Sequence, residues 1–251
     1  MNEERIFFTN SRGDKLSGVL HHPKINAARG AAILCHGMES DKNSDKLVFL
    51  SCELARRDIL TLRFDFSCAG ESSGKFEDIT YSGELEDLKA AYALVGSRHV
   101  GKTAMLGSSM GGTVALMFAS EEPALAALVT VAAPLHPEKF PCKILTPGQL
   151  KDWRERGYIF YNGNRLNVSL LDDLESIDIP ARARRVTCPV LILHGDADDV
   201  VPVAEAYELH RCLTNSKRLS ILPNTDHRVS DPEMLQRAMG EALDWLTDHI
   251  P

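Results

Sequence analysis

Basic residues are in deficit. The chain has 28 Lys and Arg against 35 Asp and Glu, a net charge of −7. That balance argues against nucleic acid as a partner, because phosphate binding needs clustered cations. No stretch approaches the roughly 20 apolar residues of a membrane span. The opening, MNEERIFFTN, lacks the basic-then-apolar pattern of a secretory signal. Six cysteines, at 35, 52, 68, 142, 188 and 212, form no Cys-x-x-Cys pair and no Cys/His ligand spacing. No metal and no bound cofactor is therefore expected. Free thiols fit a cytoplasmic location, with Cys35 and Cys188 reading as small core hydrophobes. Gly (17) and Pro (12) are too few for a fibrous repeat, and 44% hydrophobic residues is too many for disorder.

What is there alternates. RIFFTN and LSGVLHH flank the turn Ser11-Arg12-Gly13-Asp14 and read as an antiparallel hairpin, with His21 and His22 decorating its second strand. Short apolar runs follow at 31–37, 59–65, 103–107, 127–134 and 189–195, the pattern of parallel strands buried on both faces. A further strand is expected at 218–223. Helical periods lie between them. One covers 45–57, with Leu47, Leu50, Leu54 and Ala55 on one face; another covers 83–95, with Leu85, Leu88, Ala91, Tyr92 and Val95. In the second, Glu84, Glu86 and Asp87 read as a solvated face. A last helix runs from Pro232 to about Asp248. The expected fold class is α/β, an open and mostly parallel sheet with helices on both sides. Residues 135–185 break the rhythm with turn signals and the aromatics Phe140, Trp153, Tyr158, Phe160 and Tyr161. Insertions of this length are commonly lids. This divides the chain into a core of 1–134 and 186–251 and a lid of 135–185, with Trp153, Tyr158 and Tyr161 as substrate-binding candidates.

Gly-x-Ser-x-Gly occurs twice, at 107–111 and 70–74. The first follows an apolar strand without a gap and enters the helical segment GGTVALMFAS. Strand, tight turn and helix are what a nucleophile elbow requires. The second lies past its strand end and enters polar KFEDIT, so Ser72 reads as a turn residue and Ser109 as the nucleophile. A serine hydroxyl needs a base oriented by an acid. In the order Ser, Asp, His, the acid sits past a later strand, where Asp196, Asp198 and Asp199 are available. The base sits past the last strand, where His227 stands. His36 and His194 each end a strand before Gly and read as loop-shaping residues. Acyl transfer also needs an oxyanion hole. The backbone N–H of Met110 is one expected donor; the other is that of Met38, with Gly37 and Glu39 as the alternatives on the same loop.

AILCHGM (32–38), LRFDFSCAGESSGKFEDIT (62–80), GSSMGG (107–112), HGDADDVVP (194–202) and NTDH (224–227) together resemble the α/β-hydrolase family over nearly the whole chain. The segment 62–80 is similar to that of cinnamoyl/feruloyl esterases and monoglyceride-lipase-like enzymes. The resemblance implies an eight-stranded sheet with a small lid inserted after strand six. It also implies that the acid is the fifth residue of HGxxDxxVP, Asp198. The function expected is a serine carboxylesterase for short- to medium-chain or aryl esters, working through an acyl-enzyme on Ser109. Peptidase and thioesterase chemistry fit the same fold, as does a non-catalytic ligand receptor. The expected partner is a small-molecule ester, and an apolar lid surface would permit a homodimer.

Overall fold

A computed structural model describes residues 2–24 and 28–250. Among the described residues, ten strands run in chain order: β1 (Asn2–Thr9), β2 (Lys15–His22), β3 (Gly30–Cys35), β4 (Ile59–Phe64), β5 (Thr103–Ser108), β6 (Leu128–Val131), β7 (Tyr158–Tyr161), β8 (Asn164–Asn167), β9 (Val190–Gly195) and β10 (Lys217–Leu222). The helices are α1 (Asp45–Arg56), α2 (Tyr81–Arg98), α3 (Met110–Ala119), α4 (Phe140–Ile144), α5 (Pro147–Arg156), α6 (Val168–Ser176), α7 (Ile179–Ala183), α8 (Val203–Cys212) and α9 (Pro232–His249).

Eight strands form one sheet in the order β1-β2-β4-β3-β5-β6-β9-β10. Pairings β1·β2 and β2·β4 are antiparallel; from β4 to β10 every pairing is parallel. Most inner strands read as nearly continuous apolar runs because they feed two cores; β4 departs from this, with Thr61 and Arg63 buried on one face. Ala31, Ile33 and Cys35 of β3 face α2 and α3, while Ala32 and Leu34 face α1 and α9. Val190 and Ile192 of β9 divide from Leu191 and Leu193 in the same way. In β3 and β9 the two-residue alternation of a pleated strand is thus masked by apolar residues on both faces.

The insertion leaves the sheet after β6. It holds its own hairpin, β7·β8, closed by Asn162 (φ 48) and Gly163 (φ 79). Both positive angles belong to a two-residue turn for which Asn-Gly is the preferred pair. At the far end of the insertion, α7 packs against α3 and α8.

Two of the three acids on α2 are not on a solvated face; only Glu86 is partly exposed, where it pairs with Ser11 and Lys89. Asp87 is fully buried and accepts from the Ser67 amide (2.7 Å) and hydroxyl (2.6 Å) and from Asn10 (2.5 Å). Glu84 is buried too, and among the described residues neither of its oxygens has a partner. His21 is likewise buried rather than decorative, with its Nε2 accepting from Arg63 Nε–H at 2.9 Å.

Candidate active site

Strand β5 ends at Ser108, and α3 begins at Met110, so Ser109 alone makes the turn. It does so at φ 52, ψ −125, a strained conformation for a residue with a side chain. The flanking glycines make the approach feasible. A Cβ on Gly107 would sit 2.2 Å from the Gly111 carbonyl oxygen, and one on Gly111 would sit 2.2 Å from that of His36. The Ser109 amide donates to Val131 O at 2.8 Å, fixing the turn to β6. The hydroxyl is left half-buried at the carboxyl end of the parallel strands, where ligands of open α/β sheets collect.

His227 arrives on the loop between β10 and α9. Its Nε2 lies 2.9 Å from Ser109 Oγ, and its Nδ1 lies 2.8 Å from Asp198 Oδ2. A carboxylate only accepts, so the ring proton is on Nδ1 and Nε2 is free to accept from the hydroxyl. Asp198 is buried, and its Oδ1 accepts from the Val200 and Val201 amides at 3.0 and 2.7 Å. Burial pushes its carboxyl up. Hydrogen bonds from His194, His227 and the Val201 amide more than offset this and hold it well below the ordinary carboxylate range. Of the other two acids on this loop, Asp196 accepts from the Asn224 amide at 2.6 Å and is exposed; Asp199 lines the cleft but makes no contact with His227.

The loop after β3 is held by the end of β4. His36 Nδ1–H donates to Gly37 O (2.8 Å), and its Nε2 accepts from the Phe66 amide (3.0 Å); burial pulls the ring's pKa down, against the bond to Gly37 O, which favours the charged form. Lys42 Nζ, buried, reaches Asp65 at 2.5 Å and Glu71 at 2.7 Å, while its amide donates to Asp65 Oδ1 at 2.7 Å. Met38 lies between these fixed points and lines the cleft. Among the described residues, neither the Met38 nor the Met110 N–H donates to a protein acceptor. The second Gly-x-Ser-x-Gly turn belongs to this scaffold: Ser72 Oγ donates to Asp65 O at 2.7 Å and accepts from the Ser17 amide at 2.9 Å.

A cleft of about 940 Å³ opens over Ser109 and His227. Of the three aromatic substrate-binding candidates, only Tyr161 lines it. Trp153 is buried under α5 as part of the main core, and Tyr158 turns to Arg165, whose guanidinium stands 4.2 Å from its ring centre. Alternation along β7 is the reason: adjacent strand residues point opposite ways. Phe140, edge-on to Tyr161 with centroids 5.5 Å apart, is a lining residue that the sequence offered only as one aromatic among five. Lys143 and Glu205, paired at 3.0 Å, also line the cleft. No local sequence signal marks them.

Glu3, His21 and Cys52 bring three ligand-type atoms within 4.8 Å of one another. They do not suit a metal. Arg63 Nε–H occupies His21 Nε2, which leaves the ring proton on Nδ1, the atom that would have to bind. Among the described residues, no helix is long and apolar enough to cross a membrane.

Residues 26–155 match the model of the Hydrolase_4 family, described as serine aminopeptidase, S33. An uncharacterized protein of Mycobacterium tuberculosis is 27% identical over 236 residues, spanning 92% of this chain and 74% of its own length. The mitochondrial palmitoyl-protein thioesterase ABHD10 of Bos taurus is 26% identical over 204 residues, 74% of this chain and 64% of its own. The ferulic-acid-bound structure of Est1E from Butyrivibrio proteoclasticus superposes with a TM-score of 0.84 at 24% identity, covering 96% of this chain and 98% of that one. At that identity the likeness shows a shared fold.

Proposed function

Because the chain belongs to the Hydrolase_4 family of α/β hydrolases, described as serine aminopeptidase, S33, we propose that it is a serine carboxylesterase acting through Ser109, His227 and Asp198. One observation carries the reading: an unbroken hydrogen-bond path from the Ser109 hydroxyl through His227 (2.9 Å) to Asp198 (2.8 Å). His227 Nε2 takes the hydroxyl proton as Oγ attacks the ester carbonyl. The Met38 and Met110 amides receive the oxyanion. His227 then returns its proton to the departing alkoxide, and a water deprotonated by the same ring releases the acid and restores Ser109. Asp198 keeps Nδ1 protonated throughout. Residues 135–185 serve as the lid, with Phe140 and Tyr161 offering an apolar wall for an acyl or aryl group.

An aminopeptidase must hold a free ammonium. Of the carboxylates lining this cleft, the buried one, Glu205, is already taken by Lys143 at 3.0 Å and by the Leu135 and His136 amides at 2.9 and 3.0 Å, Asp226 accepts from Ser230, and Glu39, Asp45 and Asp199 are exposed. Ester cleavage needs no such site. Thioester cleavage is the second reading, favoured by the similarity to the bovine thioesterase; it uses the same steps with a thiolate leaving.

The test is a p-nitrophenyl ester series of increasing acyl length, run beside methyl ferulate, a monoglyceride, an acyl thioester and an aminoacyl anilide. Turnover of short and medium esters, reduced by at least about 10³-fold in Ser109→Ala, is expected. Anilide turnover exceeding ester turnover, or an active Ser109→Ala, would overturn the reading.

A further inference from the structure

We infer that His194 is a positioning residue for the same reaction: its Nε2–H, donated to Val201 O, pins the loop that carries Asp198 and lays its positive edge against the carboxylate oxygen that faces His227. The inference rests on the triad reading above. Strand β9 ends at His194-Gly195, four residues before Asp198, and His194 is buried. Its Nε2 lies 2.8 Å from Val201 O, an atom with no hydrogen to offer, so Nε2 carries the ring proton. The flank of that N–H is 3.2 Å from Asp198 Oδ2, the same oxygen that accepts from His227 Nδ1. Two amides hold the other oxygen, so three hydrogen bonds and the edge of the His194 N–H surround one buried carboxylate.

His194 is an expensive residue for mere packing. Its Nδ1 is buried and has no partner among the described residues, and a buried polar nitrogen without a partner costs stability. A leucine or phenylalanine would fill the space without that cost. What the ring adds is a fixed N–H against the acid.

The consequence is electrostatic. A donor on Oδ2 draws charge from the oxygen that faces His227, and so weakens its hold on the imidazolium. Without that N–H, the full charge of the carboxylate would face the catalytic ring, and the acid limb of Ser109 reactivity would move to higher pH. The other charged groups around His227 come from its own loop (Asp226 and Arg228), from α1 (Lys46, whose Nζ donates to Arg228 O at 3.0 Å) and from the loop after β3 (Glu39, 3.9 Å from Arg228). All of them are retained when residue 194 alone is changed.

The experiment follows the rate of fluorophosphonate labelling at Ser109 against pH in the wild type, His194→Phe and His194→Gln. Glutamine returns an N–H near the position of Nε2. The acid limb of His194→Phe should move up by about one pH unit, making labelling at pH 6 about tenfold slower, while His194→Gln stays near the wild type. A folded His194→Phe with an unmoved limb, or a His194→Gln shifted as far as the phenylalanine variant, overturns the inference and leaves the triad reading standing. If the variants do not fold, nitrogen-15 NMR of the wild-type histidines decides. A proton on His194 Nε2 supports the inference, and one on Nδ1 overturns it. A wild type that never labels at Ser109 overturns the triad reading and this inference with it.

Discussion

Ser109 occupies φ 52, ψ −125, the mirror image of an ordinary extended conformation. Glycine populates that region as readily as its mirror; a residue with a Cβ does not. Holding a non-glycine residue in such a region costs about 1–3 kcal/mol. The direct comparison is Ser109→Gly against Ser109→Ala. Both lose the 2.9 Å bond to His227, so that term cancels, and both lack the nucleophile. They differ in the Cβ. Glycine relieves the strain but gives back about 0.5–1 kcal/mol in extra unfolded-chain freedom. The net advantage of Ser109→Gly is about 0.5–2 kcal/mol, or about 1–8 °C in melting temperature for a chain of this size. Thermal and urea unfolding of the two inactive proteins measure it. An alanine variant as stable as the glycine variant would refute the claim that strain is stored at the elbow.

Three further substitutions test other parts of the structure. Glu84, buried without a partner, has a carboxyl raised well above its usual 4.5 by burial. The folded state therefore keeps a proton that the unfolded chain loses, and stability falls as pH rises above about 4.5. Glu84→Met should stabilise the protein by about 1–3 kcal/mol at pH 7 and by less at pH 4, as read by urea unfolding at the two values; equal gains would contradict this. Lys42→Met strips the cation from Asp65, which is fully buried, and should cost about 3–5 kcal/mol. Because the same clamp fixes the loop bearing Met38, ester kinetics should show kcat falling more than KM rises. Gly111→Ala would force its methyl to within 2.2 Å of the His36 carbonyl oxygen. Loss of folded protein on expression is expected, and a melting temperature like that of the wild type would exclude the clash.

The sheet was legible because its inner strands are buried on both faces, so that apolar runs such as AAILC and VLILHG stand out without any alternation to decode. The elbow was legible because steric demand is local: Gly107, Ser109 and Gly111 share their spacing with 70–74, but only they join an apolar strand directly to a helical segment. The acid needed more. Strand-end position left Asp196, Asp198 and Asp199 open, and the resemblance pointed to Asp198, the one that lies 2.8 Å from His227. What stayed hidden depends on distant partners. Asp87 is buried because Asn10 and Ser67, 77 and 20 residues away, supply its hydrogen bonds, and nothing within α2 announces them. Tyr161 and Tyr158 share a strand, and only the pose of the hairpin against the core decides which of them meets the cleft. Glu205 faces Lys143 across 62 residues for the same reason.

A fluorophosphonate probe asks whether the hydroxyl of 109 is a working nucleophile. Incubation of the intact protein followed by peptide mass spectrometry should find one adduct per chain, on Ser109, absent from Ser109→Ala and formed at least about 10²-fold more slowly in His227→Ala. Folded protein that takes up no probe, or takes it up at another serine, would show that the hydroxyl, imidazole and carboxylate meet here without forming a nucleophile.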